Sequence, residues 1–320
     1  MEAKEQNLVR RADAAAIADA AAIIRRGGLV AFPTETVYGL GADATNSDAV
    51  ARIFAAKRRP RINPLIVHVV DLAAAERLAR ISGPARELAE AFWPGPLTLV
   101  LPRREDCPLS LLVSAGLDTV ALRVPAHPVA AALLKEASRP IAAPSANLSG
   151  RITATAAPHV ASDLAHAADL VLDGGAAPLG IESTVIGWQD GKPVLLRPGA
   201  VAREDIERAI GKLGTHSATK VHSPGQLASH YAPHAKLRLN AAAPRAGEAF
   251  LAFGPGPATC LNLSPGGSLQ EAAANFFAML RRLDSEKPET IAVMPIPDTG
   301  LGEAINDRLR RAAAPREDAE

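Results

Sequence analysis

Short apolar runs cut off by proline, alternating with segments of helical periodicity, constrain this chain more than any other feature. LVAF (Leu29–Phe32) is stopped by Pro33, and PLIVHVV (Pro64–Val70), LTLVLP (Leu97–Pro102), TVALRVP (Thr119–Pro125) and PIAAP (Pro140–Pro144) repeat the pattern. Runs this short, bounded by proline, read as buried strands rather than helices. Between them lie helical segments. One covers Ala14–Arg26, with Asp13 as cap and Gly27-Gly28 as stop. A second runs from a cap at Asn46 or Ser47 to the basic run Lys57–Arg59 before Pro60, and Asp71 opens another. Helices are also expected over Pro128–Ser138 and Pro158–His166. The runs DLVLDGG, STVIGW and PVLLRPG add strands, and a helix over Arg203–Lys212 closes the unit. The alternation predicts an α/β fold.

The chain has 320 residues, enough for about two domains. Its composition changes after residue 212. Thr215–Lys236 is polar, proline-bearing and without period, which reads as a linker. AFLAF, TCLNL and TIAVMPIP then read as strands. Leu269–Asp284 is the clearest amphipathic helix, and GLGEAINDRLRRAAA is a closing one. The expected organisation is a catalytic unit over 1–212, a linker over 213–235 and a smaller α/β unit over 236–320.

A formal net charge of +1 gives no global field favouring nucleic acid or membrane. Aromatic residues are 3% of the chain, which argues against a base-stacking platform. Cys107 and Cys260 form neither a CxxC pair nor a disulfide framework, so a reducing compartment is expected. The N-terminus lacks a signal layout and no run reaches the length of a membrane span, so the expected location is the cytoplasm. No G-x-x-x-x-G-K-[ST] occurs, so any ATP site is not a P-loop, and GLGAD does not complete a dinucleotide fingerprint. His222, His230 and His234 lack the acidic or cysteine neighbours of a metal site, and no metal ligands are assigned.

The remaining polar residues gather at predicted strand ends. Pro33–Gly41 (PTETVYGLG) reads as a strand-end turn, with Gly39 and Gly41 supplying unusual backbone angles if it is only a turn. Lys57, Arg58, Arg59 and Arg61 precede Asn63 and the strand carrying His68. Such a group suits a polyphosphate, but equally a solvated helix end or a nucleic-acid patch. His68 alone reads as a core histidine. Arg123 lies in an apolar strand and needs a partner, either a bound carboxylate or a structural salt bridge. APSANLSG (Ala143–Gly150) supplies hydroxyl and amide groups. GIESTV and LLRPG add Glu182, Ser183, Thr184 and Arg197, and Ser183 is not in a nucleophile elbow.

In this order, PTETVYGLG, K-x-R with NPLIVH, WPGPLTLVL, LRVP, APSANLSG, ESTV and LRPG resemble the threonylcarbamoyl-AMP synthase (YrdC-like) family in its longer form. SPGQLASHYAPHAKL and GLGEAINDRLRRAA extend the resemblance over nearly the whole chain. The resemblance implies a twisted open mixed sheet with helices around a concave cavity, a smaller Rossmann-like α/β domain, and a linker across the active-site mouth. It implies synthesis of threonylcarbamoyl-AMP and pyrophosphate from L-threonine, bicarbonate and ATP, for threonylcarbamoyladenosine in tRNA. L-Threonine would meet Thr36, His68, Arg123, Ser145 and Ser183. ATP would meet Lys57, Arg59, Asn63, Thr119, Asn147, Thr155, Arg197 and Tyr231. Lys57, Arg59 and Arg123 would serve catalysis. Mg2+ is expected with ATP, without an organic cofactor, and the product would pass to a separate tRNA transferase. Direct tRNA binding stays open. The competing readings are a non-catalytic RNA-binding module of the same fold and a carbamoyl transferase, whose relatives usually carry zinc-binding and acylphosphatase-like parts that this chain lacks.

Overall fold

The computed structural model describes residues 8–214 and 230–315. The first unit runs β1 (Val9–Arg11), α1 (Ala14–Arg25), β2 (Val30–Pro33), β3 (Tyr38–Asp43), α2 (Ser47–Lys57), β4 (Ile66–His68), α3 (Leu72–Glu76) and α4 (Pro84–Phe92). It continues with β5 (Leu97–Pro102), β6 (Thr119–Arg123), α5 (Pro128–Ala137), β7 (Ile141–Ala142), α6 (Ala157–Leu164), β8 (Leu170–Asp173), β9 (Thr184–Gln189), β10 (Lys192–Arg197) and α7 (Arg203–Ile210). Its strands form one mixed sheet in the order β1-β8-β2-β3-β7-β4-β6-β5-β9-β10. The second unit runs β11 (Lys236–Arg238), β12 (Ala249–Ala252), β13 (Leu261–Asn262), α8 (Leu269–Ser285), β14 (Thr290–Val293) and α9 (Leu301–Ala313). Its sheet, β11-β14-β12-β13, is wholly parallel.

The capping residues act as the sequence suggests. Asp13 accepts from Ala16 N at 2.8 Å, Asn46 from the amides of Asp48 and Ala49, and Asp71 from Ala74 N at 2.7 Å. Each side chain satisfies amides that the first helical turn leaves without partners. One face of the large sheet packs a core running through Ile53, Leu65, Leu99 and Leu122. The other packs Phe32, Ile141 and Leu172 against Ile24 of α1 and Leu133 of α5.

Two sequence readings need correction. PTETVYGLG is a turn only as far as Val37, because Tyr38–Asp43 is a fully buried strand antiparallel to β2. Gly39 and Gly41 are not there for unusual backbone angles. A Cβ on Gly41 would lie 2.7 Å from the Phe32 ring and 2.8 Å from Ile141, so the packing of β2 and β7 leaves no room for one. The sequence reading also passed over β1 and α4. The join expected at 213–235 falls mostly on 215–229, outside the described residues.

The small unit keeps a minor cluster of its own around Phe250, Ala252 and Ala292, but its larger core is shared with the first unit. Phe276, Phe277, Leu280 and Ile305 cluster with Ile152, Ile181 and Tyr231, which precede its sheet in sequence. Gly180 lies against α8 so closely that a Cβ would fall 2.5 Å from the carbonyl oxygens of Ala273 and Ala274. Arg281 donates to both carboxylate oxygens of Asp163 and to the carbonyls of Ile152 and Thr153. Arg203 forks onto Glu303. Burial of each large apolar side chain in this shared core stabilises by about 1.5–3 kcal/mol, which places the small unit firmly against one end of the site.

Candidate active site

A cavity of about 50 Å³ lies where the turn Thr34–Val37, the end of β4, the end of β6, the loop after β7 and the start of β9 converge. Its wall includes Thr36, His68, Arg123, Ser145 and Ser183, drawn from five separated segments. Arg59, Arg197 and Tyr231 complete the side nearest the small unit.

Arg123 is 3% exposed. Its Nη2 donates to Glu35 Oε1 at 2.6 Å, Nη1 to Thr36 Oγ1 at 2.9 Å and Nε to the Gly95 carbonyl at 3.2 Å. Within the described residues, then, its partner is a structural salt bridge. Burial pushes the Glu35 carboxyl upward, but the attraction and hydrogen bond of Arg123 outweigh it and hold the group below its ordinary 4.5. The second oxygen of Glu35 is buried without a partner among the described residues.

His68 packs edge-on against Phe32, and its Nδ1 is buried without a partner among the described residues. Burial, and then the nearby Arg123 charge, push its pKa down to about 3, so the ring is neutral at physiological pH. The unfolded chain takes up a proton below about 6.5 and the folded one does not, so this group makes stability fall as pH drops from 6.5 towards 3. Replacing His68 by glutamine removes that dependence. The stability of His68→Gln relative to wild type is expected to rise by about 2 kcal/mol between pH 7 and pH 5, read from urea midpoints. An unchanged difference would contradict the neutral assignment.

Lys57 is buried and donates Nζ to the carbonyls of Ser145 and Asn147, tying α2 to the loop after β7. Burial, and then repulsion from Arg59, lower its pKa well below 10.5. Arg59 donates to the carbonyls of Asn63 and Pro64, and burial holds it down at about 10. Arg197 donates twice to Ser183 O and once to Ser183 Oγ at 3.1 Å, while that hydroxyl pairs with Thr98 Oγ1 at 2.7 Å. Asn147 donates to the Leu148 and Arg151 carbonyls but leaves Oδ1 unpartnered, and neither polar atom of the Asn63 amide has a partner among the described residues. A buried primary amide with no partner costs roughly 1–3 kcal/mol, which suits a position completed by a ligand.

Not every expected residue reaches the wall. Thr119 begins β6 two residues before Ala121, which pairs with Ile66, and is not among the residues that line the cavity. Thr155 is buried beneath and engages His159 instead. Lys57, Asn63 and Asn147 are buried but do not line the cavity, although Lys57 donates to the carbonyl of Ser145 in its wall. The sequence reading assigned no role to Glu182 or His230, both of which line the cavity. Their signal was weak. A carboxylate between Ile181 and Ser183 hints at burial with a partner, and His230 adjoins Tyr231.

A family model described as telomere recombination (Sua5_yciO_yrdC) matches residues 22–199. A second, described as threonylcarbamoyl-AMP synthase, C-terminal domain, matches residues 201–314. A threonylcarbamoyl-AMP synthase of Bacillus subtilis is 44% identical over 94% of this chain and 93% of its own. The chain belongs to the threonylcarbamoyl-AMP synthase family. Within that family, a synthase of Schizosaccharomyces pombe is 36% identical over 93% of this chain and 88% of its own. A crystal structure of P. abyssi Sua5 complexed with L-threonine superposes with a TM-score of 0.88 at 40% identity, covering 96% of each chain.

Proposed function

We propose that this chain makes threonylcarbamoyl-AMP and pyrophosphate from L-threonine, bicarbonate and ATP. The observation that carries the reading is the cavity itself. Cations and hydroxyls from distant segments surround it, and the buried amides of Asn63 and Asn147 keep polar atoms without partners among the described residues. Arg123, Thr36, Ser145 and Ser183 suit the carboxylate and hydroxyl of threonine, with neutral His68 beside them. Arg59 and Arg197, backed by Lys57, suit phosphates.

The amine of threonine would attack carbon dioxide and lose a proton, or attack bicarbonate with loss of water, to give a carbamate. A carbamate oxygen would then attack the α-phosphorus of ATP, and the bond to pyrophosphate would break. Fixed cations aimed at the phosphates offset charge as it develops. Holding three reactants in one dry site supplies much of the rate. A cavity of about 50 Å³ is far too small for a nucleotide, so its wall would have to open for ATP to enter.

Magnesium fits this site as a companion of ATP rather than as a protein-caged ion. Among the described residues no three His, Cys, Asp or Glu side chains gather into a metal-binding group. The free oxygens of Asn63 and Asn147 could accept hydrogen bonds from metal-bound water. Bound there, the ion would neutralise phosphate charge. Delivery of the adenylate to a separate tRNA-modifying transferase, in the cytoplasm, belongs to the same proposal. Among the described residues no helix is long and apolar enough to cross a membrane.

A bare RNA-binding role is the weaker reading, because Lys57 and Arg59 are buried and already bonded to carbonyls rather than spread on the surface. Purified protein with magnesium, bicarbonate and ATP is expected to release pyrophosphate only when L-threonine is present. Threonine-independent release, or none from folded protein that binds ATP, would sink the proposal.

A further inference from the structure

We propose that Arg308, on the last helix of the small domain, is a positioning residue that sets the nucleotide side of the catalytic cavity. This deepens the reading given above and rests on it.

Arg308 is 0% exposed and is the largest fully buried side chain among the described residues. Its Nε donates to Glu182 Oε2 at 3.2 Å, and the other oxygen of that carboxylate accepts from Thr153 Oγ1 at 2.8 Å. Its Nη1 donates to the Pro198 carbonyl and to Asp307 Oδ2. Its guanidinium carbon lies 5.5 Å from the centroid of the Tyr231 ring, within the range of a cation–π contact. Glu182 and Tyr231 both line the cavity, and Pro198 directly follows Arg197, another wall residue.

One side chain of the small domain therefore touches three pieces of the site. It does so without lining the cavity itself, so it acts through its neighbours. Joining the two units does not need such a residue. Arg203 with Glu303 and Arg281 with Asp163 already bridge them, and both of those arginines keep some exposure. A fully buried arginine is costly to desolvate, and an apolar residue of similar volume would often serve a plain interface as well. The planar set of donors, engaging Glu182 and the Pro198 carbonyl at once, is what Arg308 adds, and lysine does not reproduce it. Glu182 neutralises the guanidinium, Thr153 fixes the other carboxylate oxygen, and Tyr231 is held in the same cavity wall as Arg59 and Arg197.

The test compares wild type, Arg308→Lys, the charge-free pair Arg308→Met with Glu182→Gln, and Arg203→Met. The pair guards against a fold lost to an uncompensated Glu182. Each is measured for ATP binding by calorimetry and for the KM of ATP and of L-threonine in pyrophosphate release. Arg308→Lys and the pair are expected to weaken ATP binding and raise the ATP KM on the order of tenfold, with the threonine KM within about twofold of wild type. Arg203→Met is expected to lower stability while moving neither KM. A purely structural Arg308 would instead lower kcat with the folded fraction and leave both KM values in place. That result, or a parallel rise in both KM values, overturns the inference alone. Wild-type protein that neither binds nor consumes ATP overturns the functional reading and this inference together.

Discussion

Arg123→Met is expected to abolish threonine-dependent pyrophosphate release and to destabilise the fold by about 3–5 kcal/mol. The stability loss comes from Glu35 more than from the arginine. Removing Arg123 leaves a buried carboxylate on which desolvation, now outweighed by its partner, becomes the largest influence. The pH dependence then reverses sign. In the wild type Glu35 titrates below 4.5, so its contribution to stability is present above that pH and is lost as pH falls through the depressed folded value. In the variant, burial, the largest remaining influence, is expected to raise the folded value against the weaker backbone hydrogen bonds, so Glu35 costs stability at neutral pH and less as pH falls towards 4.5. The deficit of Arg123→Met is therefore expected to shrink between pH 7 and pH 5. Adding Glu35→Gln should restore most of the stability at pH 7 and none of the activity. A double variant as unstable as the single one would show that the Glu35 charge is not the cause.

Gly199→Ala is the second substitution with a large expected effect. A Cβ at Gly199 would sit 2.3 Å from Thr184 N, 2.4 Å from Ser183 C and 2.5 Å from Glu182 O. All three are backbone atoms, so no rotamer change relieves the clash. The two segments are also laced together. Ala200 N donates to Glu182 O at 3.0 Å, and Thr184 Oγ1 exchanges hydrogen bonds with the Val201 backbone at 2.6 and 2.9 Å. Overpacking typically costs about 1–3 kcal/mol, and this case should reach the upper end, lowering the melting temperature by roughly 4–5 °C. The displaced residues are Glu182 and Ser183, both in the cavity wall, and a shift near 1 Å at such a site costs on the order of 100-fold in rate. Gly266→Ala, where a Cβ meets nothing within 4 Å, is the matching control, expected within about 0.5 kcal/mol of wild type. A Gly199→Ala protein with wild-type melting and turnover would refute the tight seating of the Arg197–Val201 segment on β9.

Much of the fold was legible because strand ends and helix starts carry local chemistry. Asp13, Asn46 and Asp71 announce helices by side chains that cap them. β3 escaped notice because its glycines look like turn residues until Phe32 and Ile141 are seen crowding them. α4 opens at Gly83 without a side-chain cap, so its start left no polar signal. In the site, Arg123 was readable as a buried charge in need of a partner, but Glu35 as that partner depends on a turn folding back across the sheet. Arg308 was invisible for a stronger reason. It reads as one of several arginines on an amphipathic helix, and only the docking of α9 beside Glu182 and Tyr231 buries it.

The most direct measurement of the central claim is the mass of the nucleotide product formed from ATP, L-threonine and carbon-13 bicarbonate. The expected product is an adenylate bearing threonine and one labelled carbon, formed together with pyrophosphate and absent when threonine is withheld. An adenylate of threonine without the labelled carbon, or ATP cleaved with no adenylate at all, would contradict it.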